Sequence, residues 1–123
     1  MRRIISSGSV KAICLDKEEI LAQIQRASVL ALEEFPEIKE IRLFGSFATG
    51  KVHALSDVDI TLIVERALSN DPIQRIKPYY SFFSRHINIA LDLLVIEPEE
   101  LEHYKDILKE SRKVPLNNSK SLI

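Results

Sequence analysis

At 123 residues the chain is long enough for one packed domain and too short for a second catalytic module. Hydrophobic residues make up 46% of it and charged residues 28%, the balance of an ordinary globular protein, while 17 basic against 18 acidic residues leave a net charge of −1 and no global electrostatic hold on a long nucleic acid. No apolar run approaches the roughly 20 residues of a membrane span, and Arg2-Arg3-Ile4-Ile5 is too short for a signal peptide, so the expectation is a cytoplasmic protein with no membrane partner.

Residues 1–15 read as a lead-in. Met1 to Gly8 shows no period and is expected to be partly disordered, while Val10 to Leu15 suits an edge strand or an irregular approach. Cys14, the single cysteine, excludes an intrachain disulfide, fits a reducing compartment, and reads as a small buried hydrophobe. Asp16 is placed to cap a helix, with Glu19 completing a capping box. Ile20, Leu21, Ile24, Ala27, Ala31, Leu32 and Phe35 recur at helical spacing and predict one buried face, which Pro36 ends.

Ile38 to Phe44 reads as the first core strand, with Ile41 and Leu43 on one face and Arg42 and Phe44 on the other. It delivers Gly45-Ser46 to its carboxyl end. Ser46 to Gly50 reads as a short helix and Lys51 to Ser56 as a loop in which His53 is solvated. Asp57 to Val64 is the second core strand. Alternation puts Asp57 and Asp59 on one face and Val58, Ile60 and Leu62 on the other. Like charges side by side repel, and such a pair suits Mg²⁺, which prefers oxygen ligands and shares them with substrate phosphates. Gly45 lets a phosphate approach the backbone, and Ser46 adds a hydroxyl and an N–H at a helix start. Alone, Gly-Ser is most often a turn and Asp-x-Asp a solvated strand edge or cap.

Glu65 to Asn70 is a connection, and Asp71-Pro72 reads as the N-cap and first residue of a helix running to about Arg85, limited or kinked by Pro78. Tyr79, Tyr80, Phe82 and Phe83 beside Arg75, Lys77 and Arg85 can stack a base, but packing on the sheet together with a partner interface is favoured, with Tyr79 and Phe83 as anchors. His86 to Ile96 is expected to be the third core strand. Within it Asp92 interrupts an apolar run and needs a cation or a donor. Glu97-Pro98-Glu99-Glu100 starts a last helix with an apolar face of Leu101, Tyr104, Ile107 and Leu108. Residues 113–116 suit a short final strand, and 117–123 a frayed tail.

Taken together, an apolar strand, Gly45-Ser46, ten residues (Phe47 to Ser56) and Asp57-Val58-Asp59-Ile60 resemble the polymerase-β-like nucleotidyltransferase superfamily, in its minimal nucleotidyltransferase branch. Ala48, Gly50 and Ser56 also match common positions. Thr49 departs from the pattern, standing where many members carry Arg, and Lys51 can partly substitute. The resemblance implies an α/β (α+β) nucleotidyltransferase fold over residues 16–116, a small mixed sheet with helices on one face. It implies transfer of a nucleoside monophosphate, AMP from ATP, to a hydroxyl. Asp57, Asp59 and Asp92 would be the catalytic, Mg²⁺-binding carboxylates, and Gly45, Ser46 and Lys51 would bind the nucleotide. Stand-alone members of this size are similar to the antitoxins of toxin–antitoxin pairs whose partner is a HEPN ribonuclease, some of which add AMP to a toxin tyrosine. Two other functions stay open: an inactive module of this fold that neutralises a partner, and a subunit of a small-molecule or RNA nucleotidyltransferase.

Overall fold

The computed structural model describes residues 2–4, 13–52 and 57–116. Strands β1 (Arg2–Ile4) and β2 (Ile13–Leu15) are described in their backbone only and pair antiparallel, Arg2 opposite Leu15. Residues 2–4, within the stretch expected to be partly disordered, join a strand pair. The Cys14 side chain, residues 5–12, His53, Ser56 and the tail from Asn117 lie outside the described residues.

Helix α1 (Lys17–Glu34) begins where the Asp16 carboxylate accepts the Glu19 N–H at 3.1 Å. It ends at Phe35, before Pro36, which cannot donate to a further turn. Its apolar stripe of Ile20, Ile24, Ala27 and Ala31 is wholly buried, each large aliphatic side chain contributing roughly 1.5–3 kcal/mol. Gln23 is buried beside that stripe, its side-chain oxygen accepting the Asn88 N–H at 2.9 Å.

Four strands form the main sheet, in the spatial order Leu91–Ile96, Val58–Val64, Ile38–Phe44, Arg112–Lys113. β3 (Ile38–Phe44) pairs antiparallel with β4 (Val58–Val64) on one side and with β6 (Arg112–Lys113) on the other, and β4 pairs parallel with β5 (Leu91–Ile96). The short α2 (Gly45–Thr49) joins β3 to β4, and α3 (Pro72–His86) makes the crossover between the parallel strands. Helices α1 and α3 cover one face, where Ile41, Leu43, Ile60, Leu62 and Val95 meet Phe47, Tyr79 and Phe83.

Four expectations are corrected. Tyr79 and Phe83 are fully buried core residues and not interface anchors: Tyr79 packs edge-on to Phe35 at 4.7 Å, and its hydroxyl donates to Glu37 at 2.5 Å. Burial and that carboxylate together push the phenol pKa up. The third core strand starts at Leu91 rather than His86, because α3, expected to run to about Arg85, reaches His86 with Pro78 inside it and a connecting segment follows. Ile87 and Ile89 are buried, which gave the connection the alternation of a strand. The last helix does not begin at Glu97. A 3-10 turn (Pro98–Glu100) forms there, and α4 covers only Lys105–Lys109. Strand β6 is Arg112–Lys113 rather than 113–116, followed by Val114, whose N–H donates to the Ile41 carbonyl at 2.8 Å.

The 3-10 turn is held by a compensated charge network. Arg75 of α3 donates to Glu100 at 2.9 Å and to the Val95 carbonyl at 3.2 Å, and reaches Glu97 at 3.5 Å. Glu100 also accepts the Glu97 N–H at 2.8 Å, while Glu97 accepts the Ala67 N–H at 2.8 Å. The Glu97 N–H, and next Arg75, hold the Glu100 carboxyl below its ordinary range.

Candidate active site

Strand register builds the site. Asp59 is the second residue of β4 and Asp92 the second of β5, and the parallel pairing sets them opposite one another. On its other side Asp59 faces Phe44, the last residue of β3, so Gly45 and Ser46 emerge beside it. Asp57 lies just before β4, exposed, where the strand was expected to have begun; the first β4–β5 bond is from the Val58 N–H to the Ala90 carbonyl at 3.0 Å. The end of β3, the start of β4 and the distant start of β5 thus converge at one end of the sheet.

The electrostatics there are unbalanced. Asp59 is half-buried and its carboxyl pKa is raised, first by burial, then by the charges of Asp92 and Asp57, and finally by a hydrogen bond with Asp92. Among the described residues no basic side chain pairs with any of the three. Nor do three His, Cys, Asp or Glu side chains close into a compact metal-binding group among those residues. The donor set nevertheless fits a hard divalent cation, because Mg²⁺ is commonly held by one or two carboxylates with substrate phosphates supplying the rest.

Gly45 has φ +66°, in the left-handed region, and a Cβ there would stand 2.5 Å from Asp59 Oδ2. Glycine is required on both counts. Ser46 is half-buried in α2, and its carbonyl accepts the Gly50 N–H at 2.9 Å and the Thr49 hydroxyl at 3.5 Å. Lys51 is exposed just beyond Gly50, unpaired among the described residues. The sequence reading missed Lys17, the first residue of α1. Its Nζ lies 3.6 Å from where a Gly50 Cβ would be, in a cleft of about 410 Å³ that Thr49 and Arg112 also line. No local signal marks Lys17, since folding alone brings it against a loop more than 30 residues away.

A family model described as "Nucleotidyltransferase domain" matches residues 26–114. No curated protein is detectably similar in sequence. Among solved structures, a Sulfolobus solfataricus protein assigned to the nucleotidyltransferases is 22% identical with a TM-score of 0.61, the match covering 87% of this chain and 88% of that one. A chain from a toxin–antitoxin structure with AMP-PNP is 19% identical with a TM-score of 0.54, over 80% of this chain and 77% of that one. A chain from the tri-AMPylated Shewanella oneidensis HEPN toxin in complex with its MNT antitoxin is 15% identical with a TM-score of 0.48, over 77% and 75%. The likeness to the first two establishes a shared fold.

Proposed function

The chain belongs to the nucleotidyltransferase domain family, and on that footing we propose that it transfers AMP from ATP to a hydroxyl of a partner protein, as the cytoplasmic antitoxin of a HEPN-type ribonuclease. The observation that carries this reading is the unneutralised carboxylate group, Asp59 set opposite Asp92 with Asp57 two residues earlier, against the glycine that begins α2.

In this reading residues 16–116 are the catalytic unit, and Asp57, Asp59 and Asp92 would hold Mg²⁺ together with the triphosphate. When bound, that ion supplies charge neutralisation for the phosphates and the leaving pyrophosphate. Gly45 admits the terminal phosphates to the backbone, and Ser46 donates to them. Lys51 and Lys17 offer positive charge near Gly50, where Thr49 offers none. Asp92, exposed at the strand end, accepts the proton of the acceptor hydroxyl. That oxygen bonds to the α-phosphorus as the bond from the α-phosphorus to the pyrophosphate oxygen breaks. Positioning and electrostatics account for such catalysis, so a small domain suffices.

Incubation with α-labelled ATP, Mg²⁺ and a HEPN-type protein tests the reading: label should appear on the partner as pyrophosphate is released. A stable complex that takes up no label would instead support a binding-only module. Thr49, standing where many members carry Arg and bringing no positive charge, is what supports that second reading.

A further inference from the structure

The face of α3 turned away from the sheet is bare. Ile73, Ile76 and Tyr80 recur at helical spacing on it; Ile73 is 73% exposed and Tyr80 43%, while Ile76 is half-buried at its edge against the core. With Lys77 and Ser84 they line a cleft of about 730 Å³. From Ile73 to Ser84 the face runs about 16 Å, three helical turns, enough for a second helix to interdigitate.

Its charge is one-sided. After its N-cap Asp71, α3 contains no acidic residue, and Lys77 and Arg85 have no carboxylate partner among the described residues, whereas Arg75 on the same helix has two. We propose that this face docks an amphipathic helix of a partner protein whose apolar stripe is flanked by Glu or Asp. Complementary charge of this kind fixes partner choice and register. A second copy is disfavoured, because a two-fold pairing about the middle of this face would set Lys77 against Lys77. RNA is disfavoured as well: Tyr79, Phe82 and Phe83 are in the core, leaving Tyr80 as the one exposed ring of α3 on which a base could stack. Because α3 leads from the end of β4 to the start of β5, a docked helix would lie along a line leading toward the end of the sheet that carries Asp59 and Asp92.

The test titrates the whole chain, followed by amide NMR, with two synthetic amphipathic helical peptides that share one apolar stripe, flanked by Glu in one and by Lys in the other. The Glu peptide should shift Ile73, Ile76 and Tyr80 and bind about tenfold tighter than the Lys peptide at low salt. Lys77→Glu should erase that preference, and Ile73→Ser, at an exposed position that leaves the core intact, should weaken both peptides. Equal affinity for the two peptides, or shifts confined to other elements, would overturn the proposal. So would preferential binding of oligouridylate to the same face, or a concentration-dependent dimer that Ile73→Ser dissolves. Nucleotide transfer is not read, so failure of the catalytic reading leaves these outcomes intact.

Discussion

The two ends of β5 carry two charge clusters built on opposite rules. Beyond its carboxyl end Arg75, Glu97 and Glu100 neutralise one another and saturate nearby backbone groups, so the cluster is complete within the chain. At its amino end Asp57, Asp59 and Asp92 repel one another with no basic side chain beside them among the described residues. Charge that serves the fold is compensated by the fold, and on the proposed function the charge left in deficit is where a nucleotide and its cation would bind.

The largest effect should come from the deficient cluster. Asp57→Asn and Asp59→Asn should each lower nucleotide transfer on the order of 1,000-fold, at unchanged circular dichroism, if both hold the metal that organises the phosphates. A loss of only a few-fold in initial rate would remove them from that role. Next in size, and opposite in kind, Arg75→Ala should leave the Asp57, Asp59 and Asp92 carboxylates untouched but destabilise the chain by about 2 kcal/mol in urea unfolding, because the Ser69 and Val95 carbonyls lose this donor and Glu97 and Glu100 lose their countercharge, keeping only backbone N–H donors. An unchanged midpoint would show that the network adds nothing net.

Smaller again is the response to ligand. Mg²⁺ with ATP at about ten times Kd should stabilise the wild type by roughly 1.4 kcal/mol, read as a shift in Tm at constant ionic strength. Asp92→Asn should lose most of that gain while being no less stable than wild type in chelator. An Asp92→Asn midpoint well below wild type in chelator would make Asp92 a structural residue, and an equal ligand response would take it out of the site.

The finest distinction is the sign of the pH slope. Glu100, held below its ordinary 4.5, contributes stability that is present above that value and lost as pH falls through its folded value. Asp59, raised above 3.8, contributes stability that is full below that value and lost as pH rises through its folded value. In chelator, Asp59→Asn should therefore be the more stable protein at neutral pH, with the advantage fading as pH falls toward 3.8. Parallel unfolding curves for the two proteins across that range would show that the repulsion is not felt by the fold.

The three core strands, the helix from Asp16 and the Gly45-Ser46 to Asp57-Asp59 frame were legible in the sequence because each rests on a local period or a local cap. What was hidden depends on distant contacts. Tyr79 and Tyr80 are chemically alike neighbours, yet one is in the core and the other on the surface, and only the sheet beneath decides which side of α3 is inward. Ile87 and Ile89 alternate like strand residues because a connecting segment also packs on the core. The tight turn at Glu97 answers to Arg75, and Lys17 reaches Gly50 through space alone. The Asp59–Asp92 juxtaposition lay between these cases. Alternation could give each residue a face, but only a parallel register of β4 with β5 could set them opposite.

The contact between Gly45 and Asp59 also has a consequence for how this chain can vary. Two separate demands fall on residue 45, a backbone angle that disfavours any side chain and a carboxylate oxygen where a Cβ would go. In a library randomised at residues 45 and 59, small residues at 59 would relieve the collision and rescue folding in part, but the dihedral penalty would persist and, on the proposed function, the lost carboxylate would still silence transfer. Epistasis between the two positions should thus be positive for abundance and absent for catalysis, so that selection for expression alone would drift along a ridge that selection for activity forbids.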